Sequence, residues 1–253
     1  MRVDRLNAIE QYIVKHGTVS MEELVSHFQV SMNTIRRDIN ELLAREHIKK
    51  VYGGVAINES PVLPYAIRAV SNSSAKERIG RLAAGLVRDG DTIFLDAGST
   101  TPYLLPFLSE RRDVTVITHS LIAMIRASEC QHLNLIGLGG VFSNRTSAFA
   151  SIATVEELTK FHIRTSFLAA TGVSLEAGLT NASYLDAEIK RRVAQQAEQV
   201  VLMADGSKFD HSAVHSFFPF EKLTAVVTDE RPPENYVRRA SEVGIQLLWG
   251  DRG

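Results

Sequence analysis

The sequence has little of what would tie the protein to an oxidising compartment or a membrane. Its 253 residues include one cysteine, Cys130, which excludes a disulfide within the chain and a zinc site built from several thiolates. No apolar run approaches the roughly 20 residues that a membrane-spanning helix needs. The chain is charged from its second residue and shows no apolar signal-peptide core. We therefore expect a cytoplasmic protein, and we predict no metal site and no cofactor.

A net charge of one sign is also absent. The 28 lysines and arginines nearly balance the 29 aspartates and glutamates, for a formal net charge of −1. Overall charge therefore does not indicate a polyanionic partner. Positive charge is instead concentrated locally, at Arg36, Arg37, Lys49 and Lys50. Such a cluster is sufficient for a contact the size of a DNA groove.

Residues 20–54 have the pattern of two short helices followed by a hairpin. Ser20 and Glu23 have the spacing of a capping box, and Ser31 can cap a second helix. The apolar residues of that second helix fall on one stripe, as in a helix with a single buried side: Ile35, Ile39, Leu42 and Leu43. A preceding helix of about residues 3–16 completes a three-helix core. This order predicts a winged helix-turn-helix.

The side of the second helix opposite the stripe is polar and basic, and so is the hairpin. Arg and Asn side chains can pair with guanine and adenine edges, and lysines suit phosphate contacts. We predict that residues 1–57 bind DNA through Ser31, Asn33, Thr34, Arg36, Arg37, Asn40, Lys49, Lys50, Tyr52 and Gly53. The alternative is an ordinary amphipathic helix pair that happens to carry two arginines.

The rest of the chain predicts a second domain. Pro61 and Pro64 indicate a linker, placed at 58–74. Over 75–253, short apolar runs alternate with helical stretches, which predicts an α/β fold with a mainly parallel sheet covered on both faces. The predicted strands are Thr92–Asp96, Val114–Thr118, Leu133–Leu138, Ser166–Ala170, Val200–Ala204, Ala225–Thr228 and Ile245–Leu248.

Small and polar residues follow four of these strands. Ligands of such sheets bind at the carboxyl ends of the strands, and glycines and hydroxyls at helix starts suit a phosphate. We predict a pocket for a small phosphorylated ligand, lined by Asp96, Gly98, Ser99, Thr100, Thr101, Thr118, His119, Ser120, Gly139, Gly140, Arg145 and Lys208. Each of these loops, taken alone, is explained as well by a capped turn.

These motifs resemble the DeoR type of bacterial transcriptional regulator over nearly the whole chain. Thr34–Asp38 and Lys50–Gly54 resemble the family's winged helix-turn-helix. Five further stretches resemble the family's effector domain: Asp96–Thr100, Gly139-Gly140, Gly178–Thr180, Glu188 with Lys190, and Asp205–Lys208. The resemblance implies a repressor of a sugar-catabolism operon, released from operator DNA by a phosphorylated sugar and working as a homodimer or homotetramer. It also adds Glu188 to the expected effector-binding residues.

Three positions depart from the family's pattern. His47 stands where the family usually has a glycine between recognition helix and wing. His119 replaces an asparagine that is frequent there, which exchanges an amide for a titratable ring. Thr171-Gly172 replaces an Asp-Gly pair and so removes a carboxylate.

An isomerase is the alternative function, because the second domain also resembles ribose-5-phosphate isomerase. Such an enzyme needs a carboxylate base within reach of its substrate, and Glu188 is the candidate by position. Glu188 is equally well explained as a helix-surface carboxylate paired with Arg191 or Arg192. The Thr171-Gly172 loop lacks the acidic residues of such an enzyme, so we expect no enzyme. A sugar-phosphate-binding module without DNA function is disfavoured by the intact N-terminal segment.

Overall fold

The computed structural model describes residues 2–44, 48–57 and 65–250 of the chain. Its contacts divide the chain into two compact units, Met1–Ser71 and Asn72–Gly253. Each unit buries apolar side chains of its own, so each has a separate hydrophobic core.

Among its described residues, the N-terminal unit has four helices and a three-stranded antiparallel sheet. The elements are α1 (Arg2–His16), β1 (Thr18–Ser20), α2 (Met21–Phe28), α3 (Met32–Ala44), β2 (Ile48–Val51), β3 (Gly54–Ile57) and α4 (Tyr65–Val70). The strands pair in the order β1-β3-β2. Helices α2 and α3 are the predicted pair and β2–β3 is the predicted wing, which confirms the winged helix-turn-helix. Strand β1 was not predicted; it extends the wing sheet by pairing with β3.

Local sequence explains how the two central helices begin. The Ser20 hydroxyl accepts a hydrogen bond from the Glu23 backbone N–H at 3.1 Å, and the Ser31 hydroxyl accepts one from the Thr34 N–H at 3.2 Å. Both hydroxyls satisfy N–H groups that a helix start leaves free. Ile35, Ile39 and Leu42 of the predicted stripe are buried, whereas Leu43 is half-buried. They pack with other buried apolar side chains of the unit: Leu6, Ile9, Ile13 and Leu24.

The predicted linker, 58–74, is described in part. Its first residues, 58–64, and the predicted turn at His47 lie outside the described residues. The remainder contains α4, whose Tyr65 and Ile67 are buried. Tyr65–Val70, in the described part of the predicted linker, are therefore helical.

The C-terminal unit is built on a parallel sheet of seven strands within the described residues. Its strands, with the shorter ones between them, are β4 (Thr92–Leu95), β5 (Thr115–Thr118), β6 (Asn134–Gly137), β7 (Val141–Ser143), β8 (Ala148–Ala150), β9 (Thr165–Leu168), β10 (Gly172–Ser174), β11 (Gly178–Asn181), β12 (Gln199–Met203), β13 (His215–Phe218), β14 (Ala225–Thr228) and β15 (Gln246–Trp249). The seven-stranded sheet has the order β15-β14-β12-β9-β4-β5-β6. All seven predicted strands belong to it, which confirms the α/β prediction.

Helices cover both faces of this sheet. They are α5 (Ser73–Ala84), α6 (Leu121–Ser128), α7 (Ile152–Leu158), α8 (Tyr184–Gln196) and α9 (Glu234–Val243), together with a 3-10 helix over Thr101–Leu108. One face packs on α7, α8 and α9, and the other packs on α5, α6 and the 3-10 helix. Because both faces are covered, successive residues of the central strands are buried instead of every second one.

Two small antiparallel structures were missed by the sequence analysis. One is the hairpin β7–β8, and the other is a sheet of order β10-β11-β13. Their strands are three or four residues long, too short for a periodic apolar pattern. Gly178, at φ +70°, starts β11 where an added Cβ would stand 2.4 Å from the Phe218 carbonyl oxygen. Glycine is required there by both the dihedral angle and the close backbone.

The strand order reverses at the centre of the parallel sheet. From β4 the chain proceeds to β5 and β6 on one side; β9 then lies on the other side of β4 and leads to β12, β14 and β15. The gap between the carboxyl ends of β4 and β9 is therefore the topological switch point, where sheets of this kind bind ligands.

Candidate functional site

Helix α3 separates its buried and exposed sides as the apolar stripe predicted. Ile35 and Ile39 are buried, whereas Arg36 and Arg37 are exposed. Asn33 and Asn40 are also exposed and Thr34 is half-buried. The side chains predicted to contact DNA bases thus lie on one polar surface. Two of the predicted hydroxyls, those of Ser31 and Thr34, are hydrogen-bonded to each other at 2.9 Å in the helix cap.

One residue of α3 has a structural role that the sequence analysis did not assign. Asp38 is fully buried and accepts two hydrogen bonds from the Arg5 guanidinium, at 2.7 and 3.3 Å. This bidentate ion pair ties α3 to α1. The signal was present, since Asp38 falls three residues after Ile35, on the buried stripe.

The wing presents its basic and aromatic residues outward. Lys50 is exposed, Lys49 is half-buried, and the Tyr52 side chain at the turn is fully exposed. Gly53 takes φ +84° in that turn, and a Cβ on Gly54 would stand 2.2 Å from the Val19 carbonyl oxygen. The glycine pair therefore allows both the turn and its pairing with β1.

At the switch point of the C-terminal unit, Asp96 follows β4 and is fully buried. Its Oδ2 accepts a hydrogen bond from the Ala169 N–H at 2.9 Å, across the gap to the end of β9. The Lys190 ammonium, from α8, donates to the same Oδ2 and to the Ala169 carbonyl at 2.8 Å. A carboxylate, an ammonium group and a backbone amide therefore bridge the two strand ends.

The electrostatics of Asp96 follow from this arrangement. Burial by itself would raise the pKa of the Asp96 carboxyl, but the Lys190 charge and the hydrogen bonds from Lys190 and Ala169 hold that pKa below its ordinary value. Asp96 is therefore ionised at neutral pH and pairs with Lys190 inside the protein.

His119 follows β5, beside Asp96, and is also fully buried. Its ring stacks on Phe94, with centroids 5.7 Å apart and planes 15° apart, and its carbonyl accepts from the Phe149 N–H at 2.9 Å. Burial lowers the pKa of His119 below its ordinary value, against the attraction of the Asp96 and Asp186 carboxylates. The imidazole is therefore neutral at pH 7.

The hydroxyls around these groups fix the backbone of the strand ends. Thr101 donates to the Asp96 carbonyl at 2.6 Å, and Thr118 donates to the Leu95 carbonyl at 2.7 Å. Ser120 caps α6 by accepting from the Ala123 N–H at 3.2 Å. Side chains predicted as ligand contacts thus also hold the loops in place; Ser99 and Thr100 are buried beside them.

Gly98 brings the first loop close to the second side of the switch point. An added Cβ would lie 2.3 Å from the Ala169 Cβ, so any side chain there would push β4 and β9 apart. Gly98, Ala169 and Asp96 are therefore packed as one junction. In the structure, the glycine therefore serves a close approach between two parts of the chain.

Other predicted residues lie farther from this junction. Gly139 and Gly140 follow β6, two strands from β4, where the Thr154 hydroxyl donates to the Gly139 carbonyl at 2.7 Å. Arg145 is exposed in the β7–β8 turn, and Lys208 is half-buried beyond β12, on the opposite side of β4. Strand spacing puts the carboxyl ends of β6 and β12 each about 10 Å from that of β4.

Glu188 lies on α8 with a neighbour on the same helix as its partner. It forms an ion pair with Arg191, whose guanidinium also donates to the Ser216 carbonyl at 2.6 Å. The helix carries Asp186 and Lys190 four residues apart on one side, and both are buried. Asp186 is the residue the sequence analysis missed, and its spacing from Lys190 was the available signal.

Thr171, which stands where the family has an aspartate, makes a hydrogen bond within the protein. Its hydroxyl donates to the Asn181 side-chain oxygen at 3.1 Å, joining the end of β9 to the end of β11. Over the described ranges, no three His, Cys, Asp or Glu side chains are grouped so that they could hold a metal ion. In the same residues no helix has both the length and the apolarity to cross a bilayer.

Comparison with protein families assigns both units. Residues 5–61 match the family described as the DeoR-like helix-turn-helix domain, and residues 71–230 match the DeoR C terminal sensor domain. These two matches together span most of the chain.

Relatives extend the similarity to full length. The chain is 38% identical over 250 residues to the HTH-type transcriptional regulator IolR of Bacillus subtilis, covering 98% of this chain and 100% of the relative. It is 30% identical to the Glycerol-3-phosphate regulon repressor of Escherichia coli, covering 97% and 98%. It is also 30% identical to the HTH-type transcriptional repressor GlcR of Bacillus subtilis, covering 97% and 95%.

Solved structures are more distant. Ribose 5-phosphate isomerase A from Methanocaldococcus jannaschii shares 22% identity and a TM-score of 0.41 over 55% of each chain.

Proposed function

The chain belongs to the DeoR family of DNA-binding transcriptional regulators, and from that membership we propose that it represses a sugar-catabolism operon and is released by a phosphorylated sugar. Its relatives include the Glycerol-3-phosphate regulon repressor and the repressor GlcR. The family is one of regulators, so the isomerase alternative is not favoured. We place the protein in the cytoplasm, with operator DNA as its partner.

The observation that carries the proposal is the presence of two different sites in one chain. One is a winged helix-turn-helix with Arg36 and Arg37 exposed on α3. The other is a parallel sheet whose switch point gathers Asp96, His119 and Lys190. A surface suited to DNA and a polar junction suited to a small ligand are the two parts that an inducible regulator requires.

On the DNA side, we assign reading and anchoring to different residues. Base edges in the major groove are read by Asn33, Thr34, Arg36, Arg37 and Asn40, with Ser31 holding the helix start. Phosphates are contacted by the wing through Lys49, Lys50, Tyr52 and Gly53. Reading groups discriminate between sequences, whereas phosphate contacts fix the register without doing so.

On the ligand side, the loops after the central strands bind the effector. The hydroxyls of Ser99 and Thr100, with the backbone N–H groups of Ser99, Thr100 and Thr101, receive the phosphate. The Thr101 hydroxyl holds the loop through its bond to the Asp96 carbonyl. Asp96, Gly98, Thr118, His119 and Ser120 line the part beside the switch point. Gly139, Gly140, Arg145, Lys208 and the predicted Glu188 form its rim, and α8 also contributes Asp186 and Lys190.

Regulation then requires two states of an oligomer. A homodimer or homotetramer places two α3 helices on half-sites along the DNA. If the sugar phosphate prefers an arrangement in which the two are wrongly spaced, it lowers operator affinity by the ratio of its affinities for the two arrangements.

The experiment has one arm for each surface. DNA selected by the full-length protein from random duplexes should contain two related half-sites, and Arg37→Ala should lose the selected sequence. A thermal-shift panel of sugar phosphates, with inorganic phosphate as control, should contain a compound that raises the midpoint. Failure to enrich any sequence would refute the DNA-binding assignment, and a panel without a stabilising compound would refute the effector class.

A further inference from the structure

Three polar atoms at the switch point are buried and have no hydrogen-bond partner among the described residues. They are Oδ1 of Asp96 and both ring nitrogens of His119, Nδ1 and Nε2. Both side chains are fully buried. Buried polar groups in folded proteins are almost always hydrogen-bonded, so these atoms mark a place where a group from outside the chain completes the set.

The chemistry of these atoms specifies what that group is. The Asp96 carboxylate, held ionised by Lys190, can only accept a hydrogen bond. The neutral His119 ring has one N–H that donates and one nitrogen that accepts. A hydroxyl group both donates and accepts, so hydroxyls satisfy all three atoms, whereas a purely accepting group leaves the Asp96 oxygen unpaired.

Charge at the junction argues against a phosphate in this position. Asp96 and Asp186 carry two negative charges near His119, and Lys190 carries one positive charge. The Lys190 ammonium is already bonded to Asp96 and to the Ala169 carbonyl. An anionic group would meet a net negative surface, so the uncharged part of the ligand lies here and its phosphate lies elsewhere.

The His119 ring is held in place before any ligand arrives. It stacks on Phe94 with nearly parallel planes, and its backbone carbonyl is fixed by the Phe149 N–H at 2.9 Å. Asp96 is fixed by Ala169 and Lys190. The two unpaired groups stand at the ends of adjacent strands, about 5 Å apart in the sheet, a spacing that nearby hydroxyls of one sugar can bridge.

We propose that Asp96 and His119 bind two nearby hydroxyl groups of the effector, so that the protein selects a polyhydroxylated sugar phosphate over its deoxy analogues. This inference rests on the proposed sugar-phosphate effector and adds which part of it is read, and by which side chains. A site built to hydrogen-bond a hydroxyl rejects an analogue that lacks it, because its own buried polar groups are then left unpaired. His119 is thus a specificity-determining residue.

The test measures dissociation constants by calorimetry on the full-length protein. Ribose 5-phosphate and glucose 6-phosphate are compared with their 2-deoxy analogues, and the tighter ligand is then compared with its other mono-deoxy analogues. Wild-type protein should bind the full ligand about tenfold to a hundredfold more tightly than at least one deoxy analogue. His119→Phe keeps the stacking on Phe94 but removes both nitrogens. It should bind the full ligand and the deoxy analogue that lacks the His119-bound hydroxyl equally within about threefold, while discrimination at the hydroxyl bound by Asp96 is kept.

Two controls keep the result interpretable. His162→Phe changes an exposed histidine, 92% accessible in its side chain, and should leave the discrimination intact. His119→Asn retains a donor and an acceptor, so it should restore part of the discrimination against the deoxy analogue. If His119→Phe does not fold, His119→Asn is the variant compared with wild type. Nitrogen-15 shifts of the His119 ring should also move when the full ligand binds.

The outcomes separate this inference from the function on which it rests. Equal discrimination in wild type and both His119 variants overturns the inference and leaves the sugar-phosphate effector standing. If neither ribose 5-phosphate nor glucose 6-phosphate nor any other sugar phosphate binds the wild type, the inference and the proposed effector class fall together.

Discussion

The two units differ in where they keep their polar functional groups: those of the N-terminal unit are exposed, and those of the C-terminal unit are buried. In the N-terminal unit, Arg36 and Arg37 are exposed on α3, while the core beneath them is apolar. In the C-terminal unit, Asp96, His119 and Lys190 are themselves buried. Substitutions on the first surface should therefore change binding without changing stability, whereas substitutions at the junction should change both.

The largest expected effect is the loss of folding stability when the buried Asp96–Lys190 ion pair is broken. Lys190→Met leaves the Asp96 carboxylate buried without its cation, and removing one partner of a buried pair costs about 3–5 kcal/mol. Urea unfolding of the C-terminal unit, followed by circular dichroism, should show this loss. Lys222→Met, at an exposed lysine, should stay within about 0.5 kcal/mol of wild type.

A double variant sharpens that prediction. Asp96→Asn combined with Lys190→Met removes both charges, so it should be more stable than Lys190→Met alone. If the single Lys190→Met variant unfolds like wild type, the junction is not the buried ion pair described here.

The next effect belongs to the exposed surface. Arg37→Ala should weaken binding to the selected operator by about 1–3 kcal/mol, because a base contact is lost, with an unchanged unfolding midpoint. Fluorescence anisotropy with the operator and with a scrambled duplex measures it. Arg238→Ala, which removes the same charge from an exposed position on α9, should leave operator affinity near wild type. Equal losses on operator and scrambled DNA would show that Arg37 does not read sequence.

Much of the first surface could be predicted from sequence, because its signals are local. Caps such as Ser20 and Ser31 act over three residues, and the apolar stripe of α3 recurs every turn. The junction was predicted in part: strand ends and glycines located Asp96 and His119. Its partners could not be predicted, because Lys190 is 94 residues from Asp96 along the chain and meets it only after the sheet forms. Asp186, four residues before Lys190 on α8, was not considered for the same reason.

A third effect depends on pH and arises only in the buried junction. Burial lowers the pKa of His119 in the folded protein, so below about pH 6.5 the unfolded chain binds a proton that the folded chain does not. The stability contributed by neutral His119 is complete above that pH. It is lost as pH falls toward the lowered folded pKa, by up to about 1.4 kcal/mol per pH unit.

Unfolding free energies at pH 7.5, 6.5 and 5.5 measure this effect. His119→Phe should flatten the decline between the two lower values, while His162→Phe, at an exposed ring, should keep it. A decline of the same slope in all three proteins would assign the proton uptake to other groups.

The smallest effect is expected at the wing. Lys50→Ala removes a phosphate contact, so it should weaken operator and scrambled duplex alike and reduce the salt dependence of binding by about one counterion. Anisotropy titrations at several salt concentrations give that slope. Lys222→Ala is the matched loss of one exposed lysine and should leave the slope unchanged. A sequence-dependent loss for Lys50→Ala would move it from anchoring to reading.

Induction requires that ligand binding in the C-terminal unit change DNA binding by the N-terminal unit, and one measurement tests this coupling directly. Operator affinity of the full-length protein is determined by anisotropy with and without each sugar phosphate, with inorganic phosphate at the same concentration as control. We predict that at least one sugar phosphate weakens operator binding by about 5-fold to 150-fold, while inorganic phosphate does not. Unchanged operator affinity in the presence of every sugar phosphate would contradict induction by this class of ligand.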